Sequence, residues 1–346
     1  MGFRIANLKR GGTSAFAVAL ILAAAFALPR TAAAGTLGSD KLALFPKDTG
    51  EIGYADLKKA RTMKWFPQLQ EQMLPANFKQ FEKFLAAAGV DPNTQVEELA
   101  WGLVPEGMTA KTEEAGSAAV PTAEQVVGVA LGNFTPDTTQ NYFKQQKLST
   151  FDVHGFTLYA FGTGAGSNDL FFLYFDSSTA AFGNRKVLER MIDVHFGQQD
   201  SLLRNEKLFP LINEANGSGL VWTVLNPAYT RLAMQQLAPE VQQFPDAAKL
   251  IMRMQNMIIS VNADSGIDGK FQAICGSVDD ANAIGQLLQA GMLYKRYQSS
   301  KDNPDLAQLL DQLSVAPAGD RVVLRMSLSD AQMTSLIQHN TFALKM

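Results

Sequence analysis

The chain has 346 residues, 47% of them hydrophobic and 18% charged, with 30 basic residues against 33 acidic ones. This average, slightly acidic composition argues against a general nucleic-acid binder, which needs basic surface to release counterions from phosphates, and against adhesion to anionic lipid by charge alone. Cys275 is the single cysteine, so an internal disulfide is excluded and stability must come from a packed core.

The first 34 residues read as a secretory signal peptide. Arg4, Lys9 and Arg10 precede an uninterrupted apolar run from Ala15 to Leu28, Pro29 breaks it, and Ala32 and Ala34 supply small residues before Gly35. The run is shorter than the ~20 residues that span a bilayer, so cleavage is the expectation and a retained anchor the alternative. No cysteine follows the site for lipid attachment, and no arginine pair precedes the run. Removal of residues 1–34 takes away four basic residues and no acidic one. The expected location is periplasmic or secreted, with no membrane span after cleavage.

After a short tail, Gly50–Leu57 reads as a strand entering a helix. Helical patterns follow over Ala60–Met73 and Asn77–Ala88, with Phe78, Phe81, Phe84 and Leu85 on one face and Gly89 as the stop. Pro105–Pro121 is small, polar and aperiodic, and is expected to be a surface loop between strands. A unit of strand, Ser/Thr cap and helix then recurs. Thr135 with Pro136 and Asp137 opens the first copy, and Ser277 with Asp279 and Asp280 the second. Ser329 with Gln332, a capping-box spacing, opens the third. Capping is a sufficient role for all of these residues.

Strand signals over Thr150–Val153, Phe156–Phe161, Leu170–Phe175 and Leu220–Leu225 are joined in several places by short turns, which favours antiparallel pairing. The expected fold class is α+β: antiparallel sheets with helices packed mainly on one face, in two parts, 35–225 and 226–346.

The run GTGAGS, Gly162–Ser167, has the look of a phosphate loop. Its spacing misses the dinucleotide fingerprint, no G-K-S/T follows, and the next segment, LFFLYF, is a strand. It is expected to be a hairpin tip formed by glycines with Ser167, Asn168 and Asp169. LFFLYF does not alternate, so both of its faces want cover, from within the fold or from a partner. Asn184 could cap a helix whose first turn carries Arg185 and Lys186, a weak anion-site pattern whose plainer reading is a solvated face. Of the three histidines, His154, His195 and His339, His195 falls seven residues after Leu188 on an apolar stripe and is expected to be packed. Met234, Met252, Met254 and Met257 suit core filling better than copper, since neither histidine nor cysteine lies near them in sequence. Asp264 and Asp268 sit in a turn that lacks the calcium-loop spacing. No G-x-S-x-G, S-x-x-K or H-E-x-x-H occurs, and Cys275 lies in an apolar strand. No catalytic, cofactor-binding or metal-binding residue is therefore assigned.

Phe45-Pro46-Lys47-Asp48-Thr49, then a strand, then Asp56-Leu57-Lys58-Lys59-Ala60, resembles the opening of a family of exported bacterial proteins of unknown function. The stretches AAFGNRKVLERMID and NEKLFPLINEANGSGLVW are similar to that family's middle region. The resemblance implies an envelope or secreted location and an α+β fold, and supplies no catalytic residues. The expected function is that of an exported, non-catalytic protein of the bacterial envelope or secretome that binds a macromolecular partner. The alternatives are a periplasmic small-ligand-binding protein and an envelope hydrolase with an unrecognised site.

Overall fold

The computed structural model describes residues 35–73, 76–109, 120–166, 169–237, 245–263, 266–302 and 304–338. The expected signal peptide, residues 110–119, Ser167, Asn168, Asp264 and His339 lie outside them, as does the side chain of Phe78. Among the described residues no helix is long and apolar enough to cross a membrane. The fold is α+β, with helices and twelve strands whose described pairings are all antiparallel. By contacts the chain divides into two compact units. Of the described residues, the first takes in those within 36–58 and 76–210, the second those within 59–73 and 211–338.

In the first unit the strands are β1 (Glu51–Asp56), β2 (Val96–Thr109), β3 (Val120–Gly132), β4 (Thr150–Val153), β5 (Phe156–Phe161), β6 (Leu170–Asp176) and β7 (Thr179–Asn184). They lie side by side as β1-β2-β3-β7-β6-β5-β4. β1 to β3 run back and forth, and helix Pro136–Gln146 then carries the chain to the outer strand β4. Three further reversals bring β7 home beside β3. The first is a two-residue turn in which His154 (φ 49°) and Gly155 (φ 87°) are both left-handed, the hand that suits strand twist.

One cross-strand row explains how this sheet packs. It reads Gly53, Trp101, Gly128, Phe182, Phe172, Tyr159 along consecutive strands. Two of the large rings lie over glycines: a Cβ on Gly53 would come within 2.2 Å of Trp101, and one on Gly128 within 2.0 Å of Phe182. Small and large alternate over the first four positions, and Phe182, Phe172 and Tyr159 then stand on consecutive strands, with Phe172 and Tyr159 stacked at 5.2 Å.

β6 is covered on both faces from within the fold. Phe172 and Tyr174 join Phe81, Phe84, Phe143 and Tyr159, where helices Ala76–Ala87 and Pro136–Gln146 meet the sheet. On its other face Phe171 meets Phe151, Phe175 meets His195, and helix Arg185–His195 lies against the strand. The expected loop at Pro105–Pro121 is shorter than read: β2 and β3 stay paired to Thr109 and Val120. Long-range pairing overrides the small-residue composition there, as sheet context often does.

The second unit holds β8 (Val221–Leu225), β9 (Met254–Asn262), β10 (Ile267–Cys275), β11 (Leu313–Ala318) and β12 (Arg321–Leu328), ordered β8-β9-β10-β12-β11. The same device recurs: after β10, helices Val278–Asp302 and Pro304–Asp311 lead to the outer β11, and β12 returns beside β10. Val315 and Pro317 belong to the face that helix Val278–Asp302 covers; Gly285 lies over Pro317, and Gln289 donates to the Val315 carbonyl at 2.8 Å. Helices Phe66–Met73 and Asp330–Gln338 are tied by Trp65 Nε1 donating to Asp330 (3.3 Å) and Gln72 donating to the Ile337 carbonyl (2.6 Å).

The caps differ. Ser277 Oγ accepts from the Asp280 amide at 3.1 Å. Ser329 and Gln332 form the reciprocal box, with bonds of 2.9 and 3.3 Å. Thr135 occupies the cap position, but its hydroxyl makes no capping bond; only its carbonyl receives the first helical amides.

Candidate functional site

The other face of the second sheet is polar. Trp222, Ser260, Lys270, Arg325 and Ser314 form one cross-strand row, and Asn262, Asp268 and Ser327 the next. Side chains two apart on a strand share a face, so the S-x-N of β9, the D-x-K-x-Q of β10 and the R-x-S of β12 all point the same way. They line a cleft of about 430 Å³ together with Ser218 and Glu214, the latter from helix Phe209–Ala215.

Most of its polar groups are held. Arg321 grips Glu214 with two bonds, 2.5 and 2.9 Å, and lies 3.5 Å from Gln272 Oε1. That grip holds the Glu214 carboxyl below its usual range against the opposing effect of burial, with the charges of Arg321 and Lys270 adding to it. Asp268 accepts from the Ser327 hydroxyl, and Asn262 donates to the Ser218 carbonyl at 2.9 Å. Ser260 and Gln272 are buried. Two features stand apart. Ser218 Oγ is buried without a hydrogen-bond partner. Lys270 and Arg325 face each other directly across β10 and β12, like charge to like. Neither a histidine nor a cysteine lines the cleft.

The residues singled out by the sequence lie elsewhere, apart from Asp268. The glycine run is a hairpin tip, with β5 and β6 paired on either side. The Gly166 amide and Thr163 hydroxyl both donate to the Asp169 carboxylate, at 3.0 and 3.3 Å. Asn184 does cap its helix, accepting from the Val187 amide at 3.0 Å. Arg185 donates to Glu189 at 2.7 Å and lies over the Phe151 ring, while Lys186 donates to Glu106 at 3.1 Å. Those cations are engaged by the protein itself. Met234, Met254 and Met257 are buried and Met252 is exposed. Cys275 is buried, its thiol pushed up to about 11, first by burial and then by Asp280 and Asp320.

His195 departs from the expectation of a packed residue. It sits at the end of its helix and is exposed, where its ring meets Phe156, Phe175 and Phe196. The spacing by itself does not decide burial: Val187 and Val194 are also seven apart and both are buried, whereas His195 is the last residue of the helix. His154 joins the same surface through Phe196 and stands 3.8 Å from Asp193.

A further charge cluster went unread in the sequence. Asp56 and Glu98 oppose each other across β1 and β2, beside the Lys58–Glu97 pair at 2.7 Å. Burial first of all raises the Glu98 carboxyl; Tyr54 and Lys58 oppose the shift, while Asp56 and Glu97 add to it. The signal was the alternation of Asp56 with Tyr54 in β1, which gains meaning only once β2 is placed beside it. Among the described residues no group of three or more histidine, cysteine and acidic side chains is arranged to hold a metal ion.

No family model and no curated protein matches the chain. Solved structures similar to it include crystal form I of TP0453, at 11% identity and a TM-score of 0.44, over 88% of this chain and 97% of that one. Crystal form IV of TP0453 is similar to the same degree, over 86% and 95%.

Proposed function

We propose that the chain is an exported, non-catalytic binding protein of the bacterial envelope or secretome, and that the polar cleft of the second unit is where a small ligand sits. The observation that carries this reading is convergence. Three strands and one helix turn hydroxyl, amide, ammonium and guanidinium groups into a space of about 430 Å³, a volume typical of ligand sites. The signal-peptide pattern and the family resemblance support export.

A thermal-shift screen of the purified chain against anions, sugars, amino acids and metal ions tests it. A compound present at 100 times its dissociation constant should raise the midpoint by roughly 5 °C. Absence of any shift across the screen sinks the small-ligand reading.

A macromolecular partner is the second reading, favoured by a specific surface. Leu293, Tyr294 and Tyr297 on helix Val278–Asp302 are 67%, 64% and 69% exposed, a concentration of apolar and aromatic area on one stretch of helix. Crosslinking in the native envelope through a photoreactive residue at 293 tests that surface. Recovery of no adduct there, with adducts elsewhere, removes it.

A further inference from the structure

We infer that Lys270 and Arg325 form a clamp for an oxyanion, so that the ligand of the cleft carries a phosphate or carboxylate group; this rests on the cleft being the binding site. Two long cations directly opposed on neighbouring strands destabilise a sheet unless something negative lies between them. Of the two carboxylates that line the cleft, Glu214 is taken by Arg321, and Asp268 accepts from the neutral Ser327 hydroxyl in the next row of the sheet. Among the described residues, neither Lys270 nor Arg325 makes an ion pair with a carboxylate.

Position and chemistry agree with the charge. Directly opposed residues have Cβ atoms about 4.5–5.5 Å apart, so the two heads can close on a single anionic group from either side. Ser260, next in the row and buried, offers a hydroxyl on the same line. Ser218 Oγ, buried and unpartnered, offers another at the cleft wall. A guanidinium and an ammonium with two hydroxyls form a donor set suited to an acceptor-rich oxyanion, and leave a neutral apolar ligand no partner for these groups. The sequence conceals the clamp because its two halves lie on strands separated by the two helices from Val278 to Asp311.

Isothermal titration of the full chain with inorganic phosphate, and separately with citrate, at constant ionic strength set by chloride, tests the assignment. Saturable heat is expected from at least one of them, weakened at least tenfold in Lys270→Met and in Arg325→Met and unchanged in Lys249→Met. A phosphate response alone identifies a phosphate-bearing ligand, and a citrate response alone a carboxylate. Unfolding midpoints of the three variants, at or above that of the parent, show that the fold is kept. No saturable heat from either anion, or equal heat in all variants, overturns the clamp. If the clamp fails while a neutral compound still shifts the Ser260 and Gln272 amide resonances, the cleft remains the binding site. If nothing shifts them, both readings fall.

Discussion

The two units use one topological device and put opposite chemistry on it. In each, a run of antiparallel strands is followed by a helical crossover to the far edge, and the chain then folds back to fill the gap. In the first unit the central row reads Gly53, Trp101, Gly128, Phe182, Phe172, Tyr159. In the second the corresponding kind of row reads Trp222, Ser260, Lys270, Arg325, Ser314. The Phe172–Tyr159 end of the aromatic row packs beneath helices, where burial of rings is the main stabilising term. The charged row opens onto a cleft, and no core would tolerate it. One unit packs its ring-bearing row into a core, and the other turns its charged row toward a cleft.

The largest effect that distinguishes them is expected from Phe172→Ala. It removes a buried ring from the Phe143–Tyr159 cluster and should cost about 3–5 kcal/mol, read by urea unfolding. A loss below about 1 kcal/mol would show that the aromatic row does not hold the first unit together. Next comes a paired test at glycine. Gly128→Ala drives a methyl into Phe182 and should cost about 1–3 kcal/mol. Gly269→Ala in the second sheet meets only ordinary contacts at 3.6 Å and should change stability by less than about 0.5 kcal/mol. Equal costs at the two sites would dissolve the contrast between a tight row and a loose one.

Smaller effects concern the two like-charge pairs. Removal of one opposed cation, by Lys270→Met in chloride buffer without phosphate or citrate, should raise stability by about 0.2–1 kcal/mol. A loss instead would mean that Lys270 serves the fold and not a ligand. At the Asp56–Glu98 pair the sign follows from the raised Glu98 carboxyl. Such a group binds more protons folded than unfolded, so stability falls as pH climbs from the ordinary carboxylate value through the raised one. Glu98→Gln should flatten that fall, with its gain appearing only above the ordinary value. Thermal midpoints taken across the acid range will show it; a variant that loses stability uniformly at every pH contradicts the assignment.

Much of the local structure was legible because local chemistry decides it. Asn184, Ser277 and the Ser329–Gln332 box cap their helices through bonds that span only a few residues. The Gly162–Gly166 segment reverses between β5 and β6, and the missing helix after it was visible in LFFLYF. Thr135 shows the boundary of such reading: residue type marked the cap, but its hydroxyl makes no capping bond. His195 shows another, since a place in the helical pattern did not bury the last residue of the helix. The cleft was not legible at all. Asp268 was noticed for a calcium spacing it lacks, while Lys270, two residues on, gave no signal by itself.

The sequence alone determined most of the alternation of strands and helices, the Asn184, Ser277 and Ser329 caps and the hairpin reversals, because periodicity and capping act within a few residues. Only the tertiary structure decided which strands lie side by side and in what register. Register is a long-range property, and a slip of one residue turns every side chain to the opposite face. It alone set Phe182 over Gly128 and Lys270 against Arg325.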